Sequence, residues 1–315
     1  MYFPYLRGRQ FELLAIRELA SQELIKNHVF PIIEPVHLTS TLIKTMEVFA
    51  AKNQRLGIVL NPQVGAFFSD LVKSKDEASK LLISKFNNII FANEKTLFRT
   101  YIVKTQYYDQ ISSKINQSGQ VILMCNNPDD ISFYSKLGEK ERKEISFNLI
   151  KDGSRFKRST RGLRNVVIND NFNRQNRNAD YADCDDESFT DEYKYYKDDG
   201  FAGFGDYSIV GEKYNESGFA PYAVAIHIVY PQGNELRIHH FVSDSNDDIN
   251  DIAGKFGEAV GKLHVWNEGH HLNTAGMLEL ERLYKQKAFP GLGVIKKLSI
   301  MHHLQLMEEL GEKGQ

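Results

Sequence analysis

The sequence predicts an α/β protein that folds as a (β/α)8 TIM-barrel-like domain, imperfect in its second half. Through the first 170 residues, short apolar runs alternate with stretches in which apolar residues recur at helical spacing. This alternation is typical of βαβ units around a parallel sheet. Most of the runs are apolar throughout, which indicates strands that are covered on both faces. An open doubly wound sheet is the second interpretation, but no GxGxxG motif follows the first run, which argues against a dinucleotide-binding version.

Eight apolar runs predict the strands, and each run ends at a polar side chain. In chain order the runs are FPYLR, VFPIIE, LGIVLN, TYIVK, VILMCN, FNLIKD, NVVIND and, less regularly, FGD. Their last residues are Arg7, Glu34, Asn61, Lys104, Asn126, Asp152, Asp170 and Asp206. Because the carboxyl ends of parallel strands meet on one face of such a fold, these side chains are expected to converge on one site.

Helices are predicted between the runs. A broad apolar stripe in QFELLAIRELASQELI predicts the first helix, and Thr39 or Ser40 is a candidate N-cap for the second, STLIKTMEVFAA. Helical patterns also follow the next three runs, at residues 76–86, in YYDQISSKI and at residues 131–137. Each of these helices stands between two strands, as a barrel requires.

The pattern changes after Asp170. Residues 171–200 contain few aliphatic residues but six aromatic ones, which are too many for a disordered segment. A long excursion from a strand end is either a lid or binding loop, or a local subdomain, and both interpretations stay open. Further on, YAVAIHIVY and ELRIHHFVS, separated by PQGN, alternate like the strands of a hairpin. This hairpin either decorates the barrel rim or supplies the eighth strand.

The last part of the chain is predicted to be helical, at residues 249–266, 275–287 and 294–310. We therefore expect a barrel-like α/β domain over residues 1–245, which includes the excursion at 171–200. A helical extension over residues 246–315 is expected to pack on the barrel.

The composition is that of an ordinary soluble globular protein. Hydrophobic residues make up 42% of the 315 residues, charged residues make up 25%, and the formal net charge is -2. A charge so near neutral gives no strong nucleic-acid footprint. No secretory signal pattern or long apolar run is present, so we expect a cytoplasmic protein that does not enter the membrane. Cys125 and Cys184 lack the CxxC spacing of a thiolate zinc site.

Five charged run ends are the candidates for catalysis. Glu34, Asp152, Asp170 and Asp206 could divide general acid and base roles, or could hold Mg²⁺ or Mn²⁺; some could instead cap the following helix. No DxD or HExxH motif links them, so no residue is assigned as a metal ligand and no cofactor is assigned. Lys104 could form a Schiff base, but a counter-ion role beside a carboxylate is the favoured interpretation.

Basic and neutral polar side chains are the candidates for ligand binding. The guanidinium of Arg7 could clamp a carboxylate or phosphate in bidentate fashion. The segment KDGSRFKRSTRGLR could bind phosphate, although a solvated loop is the simpler interpretation. His227 could pair across the hairpin with one of the two histidines His239 and His240. The candidate ligand-binding residues are Arg7, Arg9, Asn61, Asn126, Arg155 and His227.

Four segments resemble a known family. MYFPYLRGRQFELLAIREL, FPIIEPV, FGDYSIVGEKYNESGFAPYAVAIHIVY and HHFVSDSNDD are together similar to the little-characterised "beta protein" family of bacterial and phage-associated proteins. The resemblance covers nearly the whole chain, and the opening block is its most specific part. It implies a barrel-like α/β fold, a setting in mobile elements or phage defence, and a nuclease-like protein partner. It implies no activity and no catalytic residues.

Two functions of different classes follow as expectations. The first is that the barrel mouth binds, and hydrolyses or modifies, a small anionic ligand similar to a phosphate or nucleotide. The second is a non-catalytic sensor or partner-binding component of a defence complex that acts with a nuclease-like protein. Residues 171–200 would then be the docking surface. The sequence leaves open whether the chain is an enzyme.

Overall fold

The chain forms two compact units. The computed structural model describes residues 1–72, 76–118, 120–215 and 221–314. The first unit contains Met1–Asp170 and Glu192–Tyr207, and the second contains Asn171–Asp191 and Ser208–Gln315. Within the described residues, no helix has the length and apolar character needed to cross a membrane.

The first unit is a parallel barrel of eight strands. In the order of their hydrogen bonding they are β1 (Tyr5–Leu6), β2 (Ile32–Ile33), β3 (Leu56–Val59), β4 (Leu97–Ile102), β5 (Val121–Cys125), β6 (Ile145–Ile150), β7 (Asn165–Asn169) and β9 (Gly203–Asp206). A parallel bridge between Tyr2 and Phe204 brings the last strand beside the first. The N–H of Phe3 also donates to the carbonyl of Phe204 over 2.8 Å. The eight strands predicted from the apolar runs are therefore confirmed.

Helices alternate with these strands. They are α1 (Gln10–Ser21), α2 (Ser40–Ala51), α3 (Phe67–Val72), α4 (Glu77–Ala92), α5 (Tyr108–Ser118), α6 (Phe133–Lys136), α7 (Glu139–Glu144), α8 (Ser154–Ser159) and α9 (Glu192–Tyr195), with 3-10 turns at Thr105–Tyr107 and Pro128–Asp130. The hydroxyl of Thr39 accepts the N–H of Leu42 and so begins α2, as the sequence predicts. The helices after β6 and β7 are short, which makes the second half of the barrel less regular.

Aromatic rings fill the amino-terminal end of the barrel. The rings of Phe3 and Phe30 stack with their centroids 5.2 Å apart, and Phe98 and Phe147 meet this pair edge-on. All four side chains are buried. Burial of each such ring from water stabilises the fold by roughly 1.5 to 3 kcal/mol. The barrel is therefore a packed core and not a channel.

Gly205 lies where β9 meets the first strand. A Cβ atom there would lie 2.3 Å from the carbonyl oxygen of Phe3, which is backbone and cannot swing away. We expect Gly205→Ala to lower the free energy of unfolding by about 1 to 3 kcal/mol, the usual range for overpacking. Urea denaturation measures this. Gly269→Ala is the control, because its Cβ would meet nothing within 4 Å in a helix; equal stability of the two variants would contradict the close approach.

The second unit packs helices on a small antiparallel sheet. The strand order is β10 (Ala225–Gln232), β11 (Glu235–Val242) and β8 (Asp186–Thr190), and the helices are α10 (Ile252–His270), α11 (Ala275–Gln286) and α12 (Leu292–Lys313), with a 3-10 segment at Asn178–Asp183. Gly233 has φ of 61° in the turn between β10 and β11, which glycine adopts without strain. The predicted hairpin is confirmed, and it does not supply a barrel strand.

The structure divides the chain differently from the sequence-based boundary at residue 245. The hairpin belongs with the helices that follow it, because Nε2 of His302 on α12 donates to the carbonyl of Val229 over 2.6 Å. Residues 171–191 also join this unit, through the pairing of β8 with β11. Of the six aromatic residues of the excursion, four are buried: Phe172, Tyr181, Phe189 and Tyr196. Packed aromatic side chains favour the subdomain interpretation over a lid.

Candidate functional site

The inward face of the barrel strands supplies the core and, at the carboxyl ends of the strands, the side chains that follow the core residues. The buried cluster inside the barrel contains Phe3, Tyr5, Phe30, Ile32, Val59, Phe98, Ile102, Ile122, Met124, Phe147, Leu149, Val166, Ile168 and Tyr207. Side chains along a strand alternate between its two faces, so the next position on the core face lies two residues further on. The positions reached in this way, with Tyr207, are named the mouth ring: Arg7, Glu34, Asn61, Lys104, Asn126, Lys151, Asp170 and Tyr207.

A buried ion pair joins two adjacent strands of the mouth ring. Arg7 follows β1 and Glu34 follows β2, and Nη1 of Arg7 donates to Oε2 of Glu34. The exposed fractions of these residues are 8% and 1%. The hydroxyl of Tyr5 donates to the same Oε2 over 2.9 Å, and the N–H of Gln63 donates to Oε1 over 2.7 Å. Glu34 is therefore held as an acceptor by three donors, and it orients the guanidinium.

Two tyrosine rings flank the guanidinium of Arg7. Its Cζ lies 5.4 Å from the ring centroid of Tyr5 and 5.5 Å from that of Tyr207, distances at which a cation is attracted to the ring face. Burial, followed by the negative charge of Glu34, raises the pKa of Tyr5 well above its ordinary value. The Tyr5 hydroxyl therefore stays protonated at neutral pH and acts as a hydrogen-bond donor.

Lys104 is paired with a carboxylate. Its Nζ lies 3.2 Å from Oδ2 of Asp130. The other carboxylate oxygen of Asp130, Oδ1, accepts the N–H of Thr105. This pair agrees with the counter-ion interpretation of Lys104. The pKa of the Cys125 thiol is raised to about 12, chiefly by burial and then by the negative charge of this same Asp130 carboxylate. Cys125 is therefore an unreactive core residue.

Asn61 links the end of β3 to the end of β4 by hydrogen bonds. Its Nδ2 donates to the carbonyl of Ile102, and its Oδ1 accepts the N–H of Ile102, each over 2.8 Å. Both groups of the amide are used at the end of β4. This arrangement favours a structural role for Asn61 over ligand binding.

Two of the predicted site residues lie on the other face of their strands. Asp206 accepts the hydroxyl of Tyr2 over 2.7 Å, and both residues alternate with the core residues Phe3 and Tyr207. Burial and the charge of Asp206 raise the pKa of Tyr2. Asp206 is thus placed at the junction of the last and first strands, and the expectation that it joins the mouth is corrected.

Asp152 likewise comes one residue after a core-face position, Lys151, and so lies on the other face of its strand. Its Oδ1 lies 3.1 Å from Nζ of Lys157, and its side chain is 57% exposed. The mouth-ring residues that the apolar runs did not identify are Lys151 and Tyr207, and Tyr5 was missed as the partner of Glu34. Counting in steps of two from the apolar core positions would have found the first two. The end of an apolar run is a less exact marker than this alternation.

The remaining barrel candidates differ in their exposure to solvent. Asn126 is half-buried, whereas Asp170 and Arg155 are exposed. Arg9 is half-buried and precedes α1, where its side chain makes no capping hydrogen bond. Alternation places Asn126 and Asp170 in the mouth ring. Arg155 lies on the short helix α8, and its assignment to ligand binding stays a prediction.

His227 lies in the second unit and not in the barrel. It is the register partner of His240 across the hairpin, and the two Nδ1 atoms are 2.7 Å apart, so one donates to the other. Nε2 of His240 lies 3.1 Å from Oε1 of Glu187. Burial lowers the pKa of both histidines. The predicted cross-strand pair is present, but His227 does not join the mouth ring.

Three of the four carboxylates of the predicted site have separate partners. Glu34 binds Arg7, Asp152 binds Lys157, and Asp206 binds Tyr2. Across residues 1–72, 76–118, 120–215 and 221–314, no three His, Cys, Asp or Glu side chains are grouped so that they could hold a metal ion. The geometry therefore favours hydrogen bonding and charge pairing at the mouth over a shared-carboxylate centre.

Comparison with known proteins gives no neighbour. No protein-family model, curated protein or solved structure matches this chain. What the site does must therefore be inferred from its own geometry.

Proposed function

We propose that the chain binds a small anionic ligand, phosphate-like or nucleotide-like, at the carboxyl-terminal mouth of its barrel. The observation that carries this proposal is the buried guanidinium of Arg7, fixed by Glu34 and flanked by two tyrosine rings at the strand ends. Barrel enzymes and barrel binding proteins use this end for their ligands. A guanidinium is a planar fork of donors that matches carboxylate and phosphate oxygens.

The charges of the mouth ring support the proposal that its ligand is an anion. Arg7, Lys104 and Lys151 are its cationic members and Glu34 and Asp170 its acidic ones, although Lys104 also pairs with Asp130, which lies outside the ring. Glu34 is committed to Arg7, and its three donors favour a positioning role over the acid–base role expected from the sequence. An oriented guanidinium loses less freedom when a ligand binds, which favours affinity. Hydrolysis or modification of the ligand is a further part of the proposal, with Lys104 and Asp170 as the residues to test.

Lys151 offers a test that leaves the Arg7–Glu34 pair intact. We expect Lys151→Met to weaken binding of an anionic ligand about 10- to 100-fold, because a hydrogen bond to a charged group contributes roughly 1.5 to 3 kcal/mol. Lys157→Met is the matched control, since Lys157 is also half-buried and nearby but contacts Asp152 and the ring of Phe201. The measurement is calorimetric titration with inorganic phosphate and adenosine monophosphate, preceded by native mass spectrometry of protein purified from cells.

The outcome of that pair of variants separates the possibilities. Loss of affinity in Lys151→Met alone supports the mouth as the site. Equal losses in the two variants would mean that the probes follow general surface charge, and no binding by wild-type protein to either probe or to any co-purified anion would reject the proposal.

The partner-binding alternative has less support from the geometry. Its proposed docking surface depends on the aromatic residues of residues 171–200, and most of these are buried. Tyr195 is the exposed exception, at 42%. The defence setting, the nuclease-like partner and the cytoplasmic location stay predictions that rest on the sequence.

A further inference from the structure

A second cavity lies in the C-terminal unit, between α10 and α11. Its volume is about 640 Å³, within the range of small-molecule pockets. Phe256 and Val260 of α10 and Leu283 of α11 lie at its buried base, and the ring of Phe289 packs 5.7 Å from that of Phe256. Phe289 remains 38% exposed although it is aromatic. The cavity is thus an open, mostly apolar cleft.

An exposed glycine of α10, Gly257, lines this cleft. A Cβ atom at Gly257, which lines the cleft, would meet nothing within 4 Å. Glycine in a helix interior is less stable than alanine, so a side chain here would favour the helix. By contrast, a Cβ atom at Gly254 in the same helix would lie 2.2 Å from Oδ2 of the N-cap residue Asp251, so that side chain would have to shift. The space beside Gly257 is therefore not a requirement of the fold.

Two unpaired lysines stand at the edge of the cleft. Lys285 and Lys287 line it and are exposed, and within the described part of the chain their ammonium groups form no hydrogen bond or ion pair. The lysines of α10 differ, since Lys255 binds Asp248 and Lys262 binds Asp244. An apolar cleft edged by two uncompensated positive charges is complementary to an apolar molecule that carries one negative group.

We propose that this cleft binds a small amphipathic carboxylate, an aliphatic chain that ends in one carboxylate group. The aliphatic chain lies against Ala253, Tyr284 and Phe289, the apolar lining residues that are partly exposed, and the carboxylate lies near Lys285 and Lys287. This site is separate from the barrel mouth and does not depend on the function proposed there. Burial of the alkyl chain supplies most of the affinity, and the lysines select the head group.

Titration calorimetry with hexanoate, octanoate and decanoate, below the concentrations at which they form micelles, tests the proposal. Each added methylene buried in the cleft should tighten the dissociation constant by about fourfold. Octanamide and octyltrimethylammonium serve as neutral and cationic probes of the same chain length. If the lysines recognise the carboxylate, both probes should bind the cleft at least tenfold more weakly than octanoate does.

Three variants locate the site. Gly257→Leu should fill the cleft and weaken octanoate binding at least tenfold, whereas Gly269→Leu, on the same helix with open space around its Cβ, should leave it unchanged. The double variant Lys285→Ala/Lys287→Ala should weaken octanoate but not octanamide. Equal binding by the Gly257 and Gly269 variants, or affinity that does not depend on chain length or head-group charge, would overturn the proposal.

Discussion

Replacing Glu34 by alanine is expected to lower the free energy of unfolding by about 3 to 5 kcal/mol. The substitution leaves the guanidinium of Arg7 buried without its carboxylate, and an uncompensated buried charge is strongly destabilising. The hydroxyl of Tyr5 loses its acceptor at the same time. Urea denaturation followed by far-ultraviolet circular dichroism measures the change, and a loss below about 1 kcal/mol would show that the pair is not buried as described.

A triple variant separates stability from ligand binding at this site. Tyr5→Phe/Arg7→Met/Glu34→Leu removes the charge pair and its donor together, and apolar replacement of a buried ion pair is often neutral or stabilising. We expect its stability to lie within about 2 kcal/mol of the wild type, while binding of anionic probes at the mouth is lost. If the folded triple variant bound phosphate or adenosine monophosphate as the wild type does, Arg7 would have a purely structural role.

The second unit is expected to lose stability in mild acid because of two histidines buried on α12. Burial lowers the pKa of His302 to about 4, and burial together with the nearby His302 lowers that of His303 to about 3. Nδ1 of His302 pairs with the hydroxyl of Thr274 over 2.8 Å, and Nδ1 of His303 pairs with the hydroxyl of Ser208 over 3.0 Å. Both rings are therefore held neutral in the folded protein.

The direction of the pH effect follows from proton linkage. Well above pH 6.5 the histidines are neutral in both states, so their pKa shifts do not alter stability. As the pH falls below 6.5, the unfolded chain takes up protons that the folded unit excludes, and stability decreases. With 1.36 kcal/mol for each pKa unit, each of the two histidines should remove about 2 to 3 kcal/mol by pH 4.5. His227 and His240 act in the same direction.

Trp266 makes this effect measurable for the second unit alone. It is the single tryptophan of the chain and lies on α10, so its fluorescence reports unfolding of that unit. The variant His302→Gln/His303→Gln should flatten the dependence of unfolding free energy on pH between 6.5 and 4.5. His271→Asn, at an exposed histidine, should leave that dependence unchanged. An unaltered slope in the double variant would contradict the buried-histidine explanation.

The barrel could be predicted because its information is local. Each apolar run such as VILMCN or NVVIND is short and bounded by polar residues, and the helical stripes between the runs fix the alternation of elements. The hairpin could be predicted from equally local information, since Gly233 and Asn234 mark its turn. The sequence left open which of His239 and His240 pairs with His227, and the register of the hairpin selects His240.

The assignment of site residues was less exact, and the errors have a common cause. A one-residue difference along a strand moves a side chain to the opposite face, so the ends of the apolar runs predict Asp152 and Asp206 where the core register selects Lys151 and Tyr207. The grouping of the hairpin with the C-terminal helices was also missed. That grouping depends on contacts between residues far apart in sequence, such as His302 with Val229.

Local patterns in the chain predict the order of strands and helices, favour a parallel barrel over an open sheet, and predict the end of the barrel at which polar side chains gather. Those features follow from periodicity and from the direction of parallel strands, both of which are properties of short segments. The pairing of polar groups is visible in the folded protein alone: Arg7 with Glu34, Lys104 with Asp130, and Asp206 with Tyr2. Partner choice depends on which side chains the closed barrel brings within a few ångströms, and no local pattern encodes that distance.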